Sequence, residues 1–211
     1  FLFSLTIFTP YAFSGERKHF LWRVRSETST VYLLGSIHFM KKEAYPLSTV
    51  IENAFDRSGT IAVEADINKV GSGIIEKLRL AGFYQDNDSI VNHISSETYE
   101  YIKKEAERLG FPVAFVNKQK PWFLGMTMSS LEIMKASYNP NYGIDKYFLS
   151  KAEGRKKILE LESIDYQISL LAGLSDDEQE LFLVYAVKDL KSLVRQIDEV
   201  VEAWRSGNAS A

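Results

Sequence analysis

The sequence predicts an α/β fold, a mixed central sheet with flanking helices, and three features carry that expectation. Two short runs rich in β-branched and aromatic residues stand at 20–24 and 30–34 with a polar break between them, the pattern of a hairpin. A strand, a helix and a second strand then follow over 30–66, a unit that favours parallel pairing through a right-handed crossover. Most of the remaining chain carries apolar residues at helical spacing.

Taken in order, the first strand is Phe20-Leu21-Trp22-Arg23-Val24, with Glu27-Thr28-Ser29 as its turn into Thr30-Val31-Tyr32-Leu33-Leu34. Leu47, Val50, Ile51, Ala54 and Phe55 share one helical face, with Pro46 suited to the first helical position and Gly59 to the stop. The run Thr60-Ile61-Ala62-Val63 closes on Glu64 and Asp66 and reads as a buried strand. Helices are expected over 74–82, over 97–109 with Gly110 as the stop, and over 121–136. Between the last two, residues 113–116 read as a short strand or an extended link. The turn formers at 139–143 mark a loop, a helix starts at Ile144, and 157–162 is a strand. Ser175 with Glu178 has capping-box spacing, so one long helix is expected from there to near Trp204.

Composition bounds the function. With 211 residues, 45% of them hydrophobic and 25% charged, the chain suits a single folded domain over 15–211. A net charge of −3 supplies no positive field for a phosphate backbone, so nucleic acid is not an expected partner. The basic runs at 41–42, 103–104 and 155–157 are short and read as solvated faces. Residues 1–14 form an apolar run followed by the small-x-small pair Ala12 and Ser14, the pattern of the end of a secretory signal; a buried strand would share this composition. The expected location is therefore outside the cytoplasm, periplasmic or at the cell surface, with no disulfides because there is no Cys. No run approaches the roughly 20 apolar residues that span a bilayer.

The chemistry available is narrow, since there is no Cys and there are three His. His38 follows Gly35 at the end of a predicted strand, where open α/β sheets place their sites. Glu64 ends the next strand, and a carboxylate in an apolar run needs a partner, water or a cation. If those strands are neighbours the two side chains converge, either as ligands of a divalent ion or as a metal-free general base with its orienting partner. Asp66 either supports such a site or caps the following helix, with capping favoured. Glu162 lies at a strand end, Asp145 after Gly143 reads first as a helix cap, and Lys120 with Trp122 anchors a helix start. His19 and His93 lack neighbours of the right kind along the chain and read as surface or packing residues.

Taken together, Leu21-Trp22-Arg23-Val24, the stretch 31–38 ending in Gly35-Ser36-Ile37-His38, Tyr45-Pro46-Leu47 and Ala62-Val63-Glu64-Ala65-Asp66 resemble the opening of the TraB/GumN family, which includes the TIKI metalloproteases. Lys120-Pro121-Trp122, then Gly143-Ile144-Asp145-Lys146-Tyr147-Phe148, then Leu161-Glu162 with Gln167 continue the resemblance in order. It implies a fold related to the erythromycin esterase and ChaN-like group and a hydrolytic centre with a divalent ion such as Mn, Co or Zn. His38 and Glu64 would be catalytic and metal-binding, with Gly35, Asp66, Lys120, Asp145 and Glu162 in support. The resemblance also implies a second G-x-x-H motif, which this sequence does not contain, so C-terminal strands are expected to be missing and this length of chain to be inactive alone.

The expected substrate is a peptide or small molecule, and a homodimer is allowed. The rival readings are a non-catalytic peptide-pheromone-binding protein and a ChaN-like haem or iron binder.

Overall fold

The computed structural model describes residues 19–209. The expected leader at 1–14 lies outside the described residues. A hairpin opens the fold: β1 (Leu21–Arg25) pairs antiparallel with β2 (Thr30–Leu34), Trp22 opposite Leu33 and Val24 opposite Val31. Side chains alternate across a strand, so these four share one face. Each of the four is about half exposed.

The chain then crosses through a 3₁₀ turn at Lys42–Ala44 into α1 (Thr49–Arg57). The helix starts at Thr49, not Pro46, because the Ser48 side chain accepts from the Ile51 N–H and caps it there. β3 (Thr60–Val63) follows, but it does not pair with β2 as the strand–helix–strand pattern suggests. Its partner is β4 (Lys157–Glu160), in parallel, with Val63 opposite Glu160. The described strands thus form two two-stranded sheets, and helices make up most of the α/β fold. Register and pairing partner are tertiary choices, which a run of strand-forming residues leaves open.

Between β3 and β4 lie α2 (Ser72–Gly82), α3 (Ser96–Leu109), α4 (Val113–Lys118), α5 (Pro121–Lys135) and α6 (Ile144–Ala152). α3 ends at Gly110, whose φ of 69° is the left-handed stop that glycine favours. The segment at 113–116, read as a strand or link, is helical: it buries Val116 completely against the helical core, a placement one helical turn achieves. After β4 come α7 (Ile164–Ala172), α8 (Asp176–Lys188) and α9 (Leu190–Ser206).

The capping box at Ser175 and Glu178 is formed as expected. The single long helix is not: the chain breaks at Asp189, whose carbonyl starts a new helix by accepting from Ser192 and Leu193. The break keeps both Val187 and Leu190 in the core while redirecting α9 toward the hairpin.

Two apolar clusters result. One joins α3, α4, α5 and α8 through Ile102, Leu109, Val116, Leu124, Met128 and Leu183. The other packs Met40, Leu47, Ile51, Phe55, Ile144, Phe148 and Trp204 beneath the strand ends. Among the described residues no helix is long and apolar enough to cross a membrane.

Candidate functional site

Gly35 fixes the exit from β2. Its N–H donates to the Phe20 carbonyl at 2.9 Å, and its own carbonyl accepts from Trp204 Nε1 at 2.8 Å. A Cβ at Gly35 would sit 3.3 Å from the Phe20 ring, tight enough to explain the small residue. Three residues later the first turn of α6 docks on the chain. The Ile144 N–H donates to the Ile37 carbonyl at 2.9 Å, and a Cβ on Gly143 would collide with the His38 carbonyl. Only a residue without Cβ permits that approach.

The docking carries Asp145, two residues beyond Gly143, to the imidazole. His38 Nδ1 and Asp145 Oδ2 are 2.6 Å apart. The expectation of Asp145 as a helix cap is corrected here: Gly143 holds the cap position, and the Asp145 carboxylate takes hydrogen bonds from His38 and Ser36 instead. Burial alone would raise the Asp145 pKa, but those bonds hold it below the ordinary carboxylate value. The same hydrogen bond raises the His38 pKa against the opposing effect of burial, and the charges of Asp145 and Glu64 add to the rise.

Glu64 is the first residue past β3, and its Oε2 lies 3.8 Å from His38 Nε2. The two side chains converge as expected, by another route: β3 is placed by β4 and α6 without pairing to β2. The apolar surroundings expected for Glu64 are not found, since its side chain is 56% exposed and that of His38 67%. Water therefore reaches both groups. Glu64 Oε1 accepts from Gln167 Nε2 at 2.6 Å, and the same amide stands 3.4 Å from Glu162 Oε2. Glu162 is tied in through its backbone as well, donating its N–H to the Glu64 carbonyl at 2.8 Å.

Asp66 does what its capping alternative said, its carboxylate accepting from the Asn68 N–H at 3.1 Å. Glu160 accepts from the Asp66 N–H at 3.0 Å and pairs with Lys69, so it clamps the loop behind Glu64. Lys120 is not brought to the site. It precedes α5, donates its N–H to the Gly82 carbonyl at 2.8 Å, and lines a separate open cavity of about 420 Å³ with Asp86, Asp88, His93 and Asp176. Its helix-anchoring reading fits that position. In the sequence only the family resemblance points to Gln167, since no spacing rule connects it with a carboxylate 103 residues away.

In neutral His38 the Nδ1 proton is held by Asp145, which leaves the Nε2 lone pair directed toward Glu64. A nitrogen and a carboxylate oxygen facing each other, with an outer carboxylate behind the ring, is the donor chemistry of a divalent-metal site. It supplies two ligands. Among the described residues no group of three or more His, Asp or Glu could hold a metal ion. The orienting partner of the ring is Asp145 and not Glu64, so a metal-free general base at Nε2 would be aimed by Asp145.

The chain is 24% identical over 146 residues to the Escherichia coli (strain K12) protein described as "Uncharacterized protein YbaP", covering 69% of this chain and 53% of that protein. The Shigella flexneri protein of the same description matches equally. An "Uncharacterized protein" of Treponema pallidum (strain Nichols) is 22% identical over 168 residues, covering 78% of this chain and 50% of that protein. The chain thus spans about half the length of the curated relatives it matches. No solved structure matches. The model of the TraB/PrgY/gumN family matches residues 20–211, nearly the whole chain including His38, Glu64, Asp145 and Gln167, and the protein belongs to that family.

Proposed function

We propose that the protein is an exported, metal-dependent hydrolase that cleaves peptides, with His38 Nε2 and Glu64 Oε2 as metal ligands. The observation that supports this reading best is the one-sided engagement of His38. Its Nδ1 is committed to Asp145 at 2.6 Å, while Nε2 faces a solvent-accessible carboxylate at 3.8 Å with no direct hydrogen bond between them. Such a pair is held apart at about the spacing into which a cation fits, with the ring's tautomer already set.

A bound divalent ion, Mn, Co or Zn, would polarise a scissile carbonyl and make water a better nucleophile at neutral pH. The residues present do the rest. Asp145 keeps the Nδ1 proton in place and sustains the basicity of Nε2. Glu162, exposed and sharing the Gln167 amide with Glu64, would take a proton from water. Exposure of His38 and Glu64 leaves room for an extended substrate to approach. The export part of the proposal rests on the composition of residues 1–14.

The test uses the full-length protein. Metal content and hydrolysis of a peptide library are measured for the wild type, His38→Ala and Glu64→Gln. Bound divalent metal and peptide cleavage in the wild type, both lost in each variant, support the reading. Tight peptide binding with no turnover and no metal, unchanged by His38→Ala, would replace it with the peptide-binding alternative.

A further inference from the structure

Glu64 has a problem of aim. It sits past the end of a four-residue strand with its side chain 56% exposed, and holding such a chain in one rotamer costs conformational entropy. Its backbone is fixed by β4 and the Glu162 N–H, but the backbone does not decide which way the carboxylate turns. Gln167 does, by donating to Oε1 at 2.6 Å and so leaving Oε2 as the oxygen that faces His38.

The choice of an amide matters. Lys or Arg at this place would hold Glu64 as well but would satisfy its negative charge, the property a cation or an imidazolium needs from it. Gln orients the carboxylate and leaves the charge intact. The same Nε2 group donates its second proton to Glu162 Oε2 at 3.4 Å, so the amide stands between two carboxylates that would otherwise repel. α7 is built to keep Gln167 there: Ser163 caps its first turn by accepting from the Tyr166 N–H, and Asp165 pairs with Lys77 of α2 at 2.7 Å.

We propose that Gln167 is a positioning residue of the site, its side-chain amide holding Glu64 turned toward His38 and spacing Glu64 from Glu162, so that α7 belongs to the functional centre. This rests on the metal-dependent reading above, and the experiment separates the two. In the full-length protein, Gln167→Met keeps side-chain length and helix propensity but removes the donor. Co²⁺ affinity and the Co²⁺ d–d absorption spectrum are compared for the wild type, Gln167→Met, Glu64→Gln and the double variant. Side-chain amide NMR of Gln167 is read in the metal-free wild type and Glu64→Gln, with thermal melts for every variant.

The expected result is a 10- to 100-fold weaker affinity and an altered spectrum for Gln167→Met at unchanged melting temperature, the size typical of outer residues that aim a ligand. The double variant should be no weaker than Glu64→Gln alone, and the Gln167 amide signals should move when Glu64 is replaced. If Glu64→Gln abolishes Co²⁺ binding while Gln167→Met binds like the wild type, the positioning role is overturned and the metal reading survives. If the wild type takes up no Co²⁺, the metal reading falls and takes the positioning role with it, wherever the amide signals lie.

Discussion

Two histidines in this protein meet aspartates and come to opposite ends. His93 has a carboxylate on each ring nitrogen, Asp176 at 2.8 Å on Nδ1 and Asp88 at 2.9 Å on Nε2, and its ring stacks on Tyr84 with centroids 4.5 Å apart. His38 has one hydrogen-bonded carboxylate, Asp145, and an Nε2 that faces Glu64 at 3.8 Å without a direct hydrogen bond. His93 is 24% exposed and His38 67%. Both nitrogens of His93 must donate to satisfy two carboxylates, so the ring is held as the imidazolium; burial opposes its charge, but the two aspartates raise its pKa overall. A saturated histidine ties elements together, here the start of α8 to the segment before α3. A half-saturated one keeps a lone pair for a proton or a cation.

The sharpest way to break the comparison is Gly143→Ala. A Cβ there collides with the His38 carbonyl, which should cost about 1–3 kcal/mol as overpacking and push Asp145 off the ring. Thermal melting and divalent-metal titration should both fall. Asp145→Asn is next, expected to weaken metal binding about 10- to 100-fold with little change in melting, because it removes the outer carboxylate and leaves the fold alone. Unchanged affinity would mean that His38 is not aimed by Asp145.

His93→Gln should do the reverse, leaving metal affinity untouched and lowering stability by about 1 kcal/mol at pH 6, a modest figure because Asp88 and Asp176 stay partly solvated. The smallest effect sharpens the assignment of charge. His93 has a folded pKa above its ordinary 6.5, so its contribution is fully present below about 6.5 and is lost as pH rises through the higher folded value. The melting difference between wild type and His93→Gln should therefore shrink on going from pH 6 to pH 9. A difference that grew with pH would contradict the imidazolium assignment.

Much of the helical layer was legible. The helix expected over 97–109 stops at Gly110, Ser175 and Glu178 form the expected box, and Pro121 opens α5. These signals were readable because caps and glycine stops act over four or five residues. His38 and Glu64 were legible as candidates from their places at strand ends. The reading failed where a choice was made at long range. β3 took β4 in place of β2, Asp145 went to His38 instead of capping α6, and His93 passed over Glu97, four residues on, for Asp88 and for Asp176 83 residues away.

By itself the sequence determined most of the helices, though not α4, α7 or the break between α8 and α9, together with the location of the strands and the short list of groups able to do chemistry, because these follow from local hydrogen bonding and the period of apolar residues. Tertiary structure alone decided which strands pair, that Gly143 brings α6 against the His38 backbone, and that Gln167 meets Glu64. Those outcomes depend on packing between segments roughly 100 residues apart, where a side chain's partner is set by which surfaces bury together and not by what stands beside it in the chain.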